Sequence, residues 1–166
     1  MRAFIALRFE KGINILKKGY IMNLRIHGII RQSTVDGIGI RYVIFCQGCP
    51  HHCKGCHNPE TWNFQNGFDK DTEEILKEIK EDPLLDGVTF SGGEPFLQET
   101  PLIELAKEIH KLNLNIWCYT GFLYEQIKDS ELTKNIDVLV DGKYIEELRT
   151  LTGFRGSSNQ RIIKIS

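Results

Sequence analysis

From Met22 onward, short apolar runs rich in β-branched residues alternate with stretches whose apolar residues recur at helical spacing. Helices are expected near Asp71, from Pro101, and over 123–129. Strands joined by helical crossovers pair in parallel, so this alternation predicts an α/β fold with a mainly parallel sheet. The units are too few for an eight-fold barrel, and a partial (incomplete) TIM-type β/α barrel is expected. The predicted strands are 24–30, 41–46, 87–90, 115–120, 136–140 and 161–165.

Two residues mark the starts of the longer helices. Asp71 precedes a helical apolar pattern, and its carboxyl group can accept from the free N–H groups of a first turn. Pro101 follows Thr100 and is expected at the first helical position, where a proline costs no hydrogen bond. The second helix then carries an apolar face made of Leu102, Leu105, Ala106, Ile109 and Leu112.

Size and charge exclude several classes of protein. The chain has 166 residues, 41% of them hydrophobic, which is enough to bury a core without disulfides. A single domain is therefore expected over 22–166. The net charge is −1, and most of the basic excess lies in the first 21 residues, so the body lacks the basic face that nucleic-acid binding requires. No apolar stretch approaches the roughly 18 residues of a membrane span.

The segment 1–21 is expected to be an upstream extension. Its apolar run is interrupted too early for a signal peptide. The codons of Lys17, Lys18 and Gly19 form a purine-rich tract at the spacing of a bacterial ribosome-binding site before the codon of Met22. We therefore hypothesise that translation starts at Met22, and a native protein whose mass includes Met1 would contradict this.

Four of the five cysteines lie within eleven residues: Cys46, Cys49, Cys53 and Cys56. This clustering indicates metal chemistry in a reducing compartment. As four ligands they could bind zinc, although structural zinc sites usually place two cysteine pairs farther apart. The ferredoxin spacing does not match either. Cys118 stands alone in an apolar run and is expected in the core, and Cys46 is expected to act as a small apolar residue ending a strand.

Taken as three ligands, Cys49, Cys53 and Cys56 have the CxxxCxxC spacing and resemble the radical S-adenosylmethionine superfamily. The resemblance implies that these thiolates hold three irons of a [4Fe–4S] cluster and leave the fourth iron open to S-adenosylmethionine. The run 91–95, SGGEP, resembles the motif of the same superfamily that contacts the methionine moiety. It implies cofactor-binding roles for Gly92, Gly93 and Glu94.

The flanking residues narrow the resemblance to one family. The runs DGIGIR at 36–41, YTGF at 119–122, VLVDGKY at 138–144 and FRGSSNQR at 154–161 are similar to those of activating proteins of anaerobic ribonucleoside-triphosphate reductases. Ile38 stands where the glycyl-radical activases usually have proline, and Gly55 stands where many superfamily members have an aromatic residue. The resemblance places Gly55 and His57 beside the adenosyl moiety.

This family implies an oxidoreductase that reductively cleaves S-adenosylmethionine and uses the 5′-deoxyadenosyl radical to generate a glycyl radical on the reductase. The implied partners are the reductase and a flavodoxin or ferredoxin electron donor, in anaerobic cytoplasm. Three alternatives stay open: an activase of pyruvate formate-lyase, a small deazapurine-forming radical enzyme, and a zinc-binding interaction module. His51 and His52 are expected to be solvated. The segment 155–161 suits a surface loop, but its two arginines also suit the docking of a partner or of an anionic group.

Overall fold

The computed structural model describes residues 22–165, so the predicted upstream extension, 1–21, lies outside the described residues. Seven strands form one sheet in the order β3-β1-β2-β4-β5-β6-β7. The strands are β1 Asn23–Ser33, β2 Arg41–Cys46, β3 Phe68–Asp71, β4 Gly87–Gly92, β5 Asn115–Tyr119, β6 Val138–Asp141 and β7 Arg161–Lys164. The helices are α1 Thr72–Glu81, α2 Glu99–His110 and α3 Tyr124–Ile127.

The centre of the sheet is parallel. Strands β2, β4, β5 and β6 pair in parallel, with Arg41 opposite Gly87 and Val88 opposite Ile116. Strand β1 is antiparallel to both β2 and β3, and β7 is antiparallel to β6. Five strands therefore run in one direction, which confirms the predicted α/β fold with mainly parallel strands. The carboxyl ends of the four central strands meet at one edge of the sheet, where ligands of such folds bind.

Helices α1 and α2 bury their apolar faces in the main core. Ile75 and Ile79 of α1 and Leu102, Leu105, Ala106 and Ile109 of α2 are all buried. The predicted cap is present, because the Asp71 side chain accepts a hydrogen bond of 2.8 Å from the N–H of Glu73. Among residues 22–165 we find no helix with the length and apolar character needed to cross a membrane.

Several element boundaries differ from the sequence prediction, and one strand, β3, was not predicted. Helix α2 begins at Glu99, two residues before Pro101. Strand β6 begins at Val138 instead of residue 136, because its ladder with β5 starts only at the Trp117–Val138 pair. Helix α3 is a single turn and is shorter than predicted. Strand β3 has the polar sequence FDKD and gave no apolar signal, since it forms an exposed edge beside β1.

Candidate active site at the carboxyl edge of the sheet

The cysteine loop begins where β2 ends and is tied to the end of the neighbouring strand β4. The N–H of Gly93 donates to the carbonyl of Cys46, and the N–H of Glu94 donates to the carbonyl of Gly48, both at 2.8 Å. This approach requires a residue without a side chain, because a Cβ on Gly93 would lie 2.4 Å from the Gly48 carbonyl oxygen. The two chain segments therefore enter the edge of the sheet in a fixed relation.

A cavity of about 530 Å³ opens at this edge. The three cysteines of the CxxxCxxC spacing, Cys49, Cys53 and Cys56, all line it, together with Gly92 and Gly93. Its volume falls within the range of small-molecule and cofactor sites, roughly 300–1,000 Å³. The structure thus brings the cysteine loop and the predicted glycine turn together around one space large enough for a ligand.

The other two cysteines lie elsewhere. Cys46 and Cys118 are completely buried in the hydrophobic core and do not line the cavity. Burial raises the pKa of both thiols. This confirms the prediction that each serves as a small core residue. The CxxxCxxC spacing already set Cys46 apart from the three other cysteines of the loop, and its buried position on β2 agrees.

The cavity thiols suit a multi-iron cluster better than one small ion. Burial raises the pKa of Cys49 and Cys53, so a cation is needed to hold them as thiolates. In residues 22–165 no group of three or more His, Cys, Asp or Glu side chains surrounds a single-ion position. Zinc–sulfur bonds of about 2.3 Å would draw such sulfurs to within about 4 Å of one another. Three soft thiol ligands around one cavity match the protein ligands of an iron–sulfur cluster with one open iron.

Glu94 lies beneath the cavity instead of lining it. Its side chain is completely buried. Its two carboxyl oxygens accept from the Phe96 N–H at 3.1 Å, the Thr120 hydroxyl at 2.9 Å and the Gly121 N–H at 2.9 Å. The Nε2 atom of His51 is 2.7 Å from the same carboxyl group. The protein itself occupies the acceptor positions of Glu94.

His51 corrects one sequence expectation. Its side chain is only 8% exposed and packs edge-on against the ring of Phe122, with ring centroids 4.7 Å apart. The prediction of a solvated residue is therefore wrong for His51. It agrees with the structure for His52, which is exposed and whose ring lies against Trp62. The sequence carried no signal to separate the two neighbours.

Of the two residues predicted to lie beside the adenosyl group, His57 and Gly55, only one lines the cavity. His57 lines the cavity, and its ring centroid lies 4.9 Å from that of Tyr144. Gly55 is exposed, is absent from the cavity wall, and has a φ of +71°, which favours glycine. A side chain there would meet the Glu146 carboxyl group at 2.7 Å. The structure accounts for Gly55 through its backbone conformation.

Arg41, which closes the DGIGIR run, is a buried structural residue. Its guanidinium donates to the Thr89 hydroxyl at 3.1 Å, the Val88 carbonyl at 2.5 Å and the Asn115 side chain at 2.6 Å. Burial lowers its pKa to about 10. It joins β2 to β4 and β5 below the cavity, whereas Asp36 of the same run lines the cavity itself.

The cavity wall includes Tyr119 and Tyr144, which the sequence analysis did not name as functional candidates, and Arg155, whose role it left open. Each lies in a run that the family resemblance singled out, so a signal was present, but it did not assign roles. The segment 155–161 divides between two environments. Arg155 lines the cavity, while Arg161 pairs with Glu125 at 2.8 Å and with the buried Asp141.

A protein-family model and several known proteins match this chain, and they point to one family. The model of the "4Fe-4S single cluster domain" family matches residues 35–163. The anaerobic ribonucleoside-triphosphate reductase-activating protein of enterobacteria phage T4 is 37% identical over 139 residues, which cover 77% of this chain and 86% of that protein. The chain belongs to this family of activating proteins. The Salmonella typhi activating protein is 33% identical, over 82% of this chain and 96% of its own length.

A second group of relatives consists of pyruvate formate-lyase-activating enzymes. That of Clostridium pasteurianum is 41% identical over 130 residues, which cover 74% of this chain. The match covers only 54% of the longer enzyme. Membership in the activating-protein family confirms the resemblance stated from the sequence. The protein is therefore an enzyme, and its cofactors are a [4Fe–4S] cluster and S-adenosylmethionine.

Proposed function

We propose that this activating-family protein generates a glycyl radical on an anaerobic ribonucleoside-triphosphate reductase, using a cluster held by Cys49, Cys53 and Cys56. The observation that carries the proposal is that these three cysteines, out of five, line one cavity beside the Gly92–Gly93 turn. Bound there, the cluster and S-adenosylmethionine would supply a 5′-deoxyadenosyl radical by one-electron reductive cleavage, and this radical would take one hydrogen atom from a glycine of the partner.

The chain's own residues bind and enclose the reactants. The three thiols provide soft ligands, and the glycine turn lets a ligand approach the backbone closely. Trp62, Tyr119 and Tyr144 line the cavity, and their aromatic rings would shield bound reactants from water. The role of this chain is therefore to position the reactants and to shield them.

Glu94 is proposed to act indirectly, whereas the other residues predicted to bind S-adenosylmethionine are proposed to contact it. We assign cofactor binding to His57, Gly92 and Gly93, which line the cavity. Glu94 would act through the loop that it holds, because protein groups already occupy both of its oxygens. Gly55 would contribute its backbone alone, at a position that excludes a side chain.

The architecture supports a protein substrate. We infer that strands β2, β4, β5 and β6 form an incomplete barrel within one domain extending over 22–166. In the described sheet the end strands β3 and β7 are not paired with each other. A sheet that does not close leaves a side through which a loop of a partner can reach the cavity. A low-potential flavodoxin or ferredoxin would supply the electron, and neither a nucleic acid nor a membrane has a role in this function.

The five cysteines provide the decisive test. We expect Cys49→Ser, Cys53→Ser and Cys56→Ser each to abolish stable cluster loading and the formation of a glycyl-radical EPR signal on the reductase. Cys46→Ala and Cys118→Ala serve as matched controls, and each should retain iron, sulfide and activity. If a core-cysteine variant lost the cluster while a cavity variant kept it, the proposed ligand set would be wrong.

The choice of substrate and the choice of metal have separate tests. A reductase and a pyruvate formate-lyase should be offered side by side, because 41% identity to a pyruvate formate-lyase-activating enzyme makes that the second candidate function. A radical formed only on the lyase would favour this alternative. Protein that binds zinc and takes up no iron or sulfide would instead support the interaction module.

A further inference from the structure

One permanent positive charge faces the cavity. Among the described residues that line it there is one arginine, Arg155, and no lysine. The carboxyl group of Asp36 lines the same cavity but accepts a hydrogen bond of 2.5 Å from the Ser33 hydroxyl. Within residues 22–165 no carboxyl group forms an ion pair with Arg155. The cavity therefore contains a cation that the protein has not neutralised.

Not all nitrogens of the Arg155 guanidinium donate hydrogen bonds to the protein. Its Nη1 donates to the carbonyl of Gln160 at 3.0 Å. Its Nε is buried and has no hydrogen-bond partner. Arg41, by contrast, donates from Nε and from both terminal nitrogens to acceptors of the protein. A buried donor without a partner is rare in folded proteins and calls for an explanation such as a missing ligand.

The segment that carries Arg155 is held in place on both sides. The carbonyl of Phe154 accepts from the Tyr119 hydroxyl at 2.8 Å. The N–H groups of Gly156 and Ser157 donate to the side-chain oxygen of Gln160 at 2.9 and 3.0 Å. Because these bonds anchor the backbone before and after Arg155, and Nη1 bonds the Gln160 carbonyl, the guanidinium is positioned without a ligand.

We propose that Arg155 binds the carboxylate of the methionine moiety of S-adenosylmethionine, an inference that rests on the proposed function. S-adenosylmethionine carries two cationic groups, the sulfonium and the ammonium, and one anionic group, the carboxylate. A cation in the cavity wall is attracted only to the carboxylate. The terminal Nη2 donates to no group of the described residues, so the guanidinium can give that carboxylate a charge-assisted hydrogen bond.

The test measures cofactor binding apart from turnover. The reconstituted, reduced protein is titrated with S-adenosylmethionine, and the change in the EPR spectrum of its cluster gives an apparent Kd. We expect Arg155→Gln to weaken binding by about ten- to a hundred-fold, as loss of a charge-assisted hydrogen bond predicts. Arg155→Lys should weaken it less. The matched control is Arg31→Gln, since Arg31 is 69% exposed and pairs with Glu78 on the surface.

A second ligand isolates the carboxylate. Decarboxylated S-adenosylmethionine should bind the wild type and Arg155→Gln with equal affinity, because the group that Arg155 contacts is absent. Equal weakening toward both ligands would overturn the assignment and make Arg155 a structural residue. If S-adenosylmethionine binding were unchanged while the KM for the reductase rose, the residue would instead contact the partner protein, and the assignment would again be wrong.

The response of the wild-type cluster to S-adenosylmethionine tests the proposed function, and the response of Arg155→Gln tests the role of Arg155. A wild type whose cluster does not respond to S-adenosylmethionine overturns the proposed function and this assignment together. A responsive wild type with an equally responsive Arg155→Gln overturns the assignment alone. Iron and sulfide content reports whether each variant folds and loads its cluster. If Arg155→Gln fails to load, Arg155→Lys decides, and equal affinity of this variant and the wild type for S-adenosylmethionine would contradict the proposal.

Discussion

The Nε2 atom of His51 lies 2.7 Å from Oε2 of Glu94, and both side chains are withdrawn from solvent. His51 stands between Cys49 and Cys53 in the cysteine loop, and Glu94 follows the glycine turn after β4. The same carboxyl group accepts from Thr120 and Gly121, just beyond β5. One buried side chain thus joins the cysteine loop to the carboxyl ends of two parallel strands.

The first prediction compares the two adjacent histidines. We expect His51→Ala to lower cluster loading and to reduce the free energy of unfolding of the apoprotein by about 1–3 kcal/mol, because Glu94 loses a buried partner. His52→Ala should change both quantities little, since His52 is exposed. Iron and sulfide analysis and urea denaturation measure the two effects. Identical behaviour of the variants would show that the hydrogen bond to Glu94 does not hold the loop.

The second prediction concerns the charge and the two oxygens of Glu94. In Glu94→Gln one oxygen becomes an NH₂ group, which cannot accept from the Phe96 or Gly121 N–H groups. We expect a loss of stability of about 1–3 kcal/mol for each donor left without an acceptor. Glu104→Gln is the control, because Glu104 is half exposed and pairs with Lys107 on the surface. A neutral result in urea denaturation would contradict the buried network.

The third prediction tests the glycine turn. A Cβ on Gly92, whose φ is +90°, would lie 2.6 Å from Cα of Phe45. We expect Gly92→Ala to destabilise the protein by about 2–4 kcal/mol, from backbone strain and overpacking together. A Cβ on Gly28 would meet nothing within 4 Å, so Gly28→Ala should be close to neutral. Thermal unfolding of both variants is the measurement, and equal melting temperatures would refute the close approach of β2 to the turn.

The fourth prediction is a titration on the surface. Hydrogen bonds from Arg161 lower the pKa of Glu125 to about 2. A lowered pKa means that the interaction stabilises the folded protein above the ordinary carboxyl pKa, and that this stabilisation is lost as pH falls toward 2. NMR should show a titration midpoint for Glu125 near pH 2, well below that of an unpaired glutamate. In Arg161→Gln the midpoint should return toward 4.5, the ordinary value. A midpoint unaffected by that change would rule out the pair in solution.

Local signals predicted much of the scaffold correctly. Strand β2 has the predicted bounds, and Asp71 caps α1 as expected, because both features depend on neighbouring residues only. The start of α2 was predicted two residues late. The side chain of Gln98, just before the helix, instead bonds both the N–H and the carbonyl of Arg25, 73 residues away. No rule based on local sequence includes such a partner.

The sequence by itself determined the alternation of strands and helices, the cysteine spacing and the family, since each is written in residues close together along the chain. Tertiary structure decided which side chains face the cavity. It placed Glu94 beneath the cavity with His51, and it brought Arg155 to the cavity wall. These outcomes depend on contacts between segments distant in sequence, which form only when parallel strands bring their carboxyl ends to one edge.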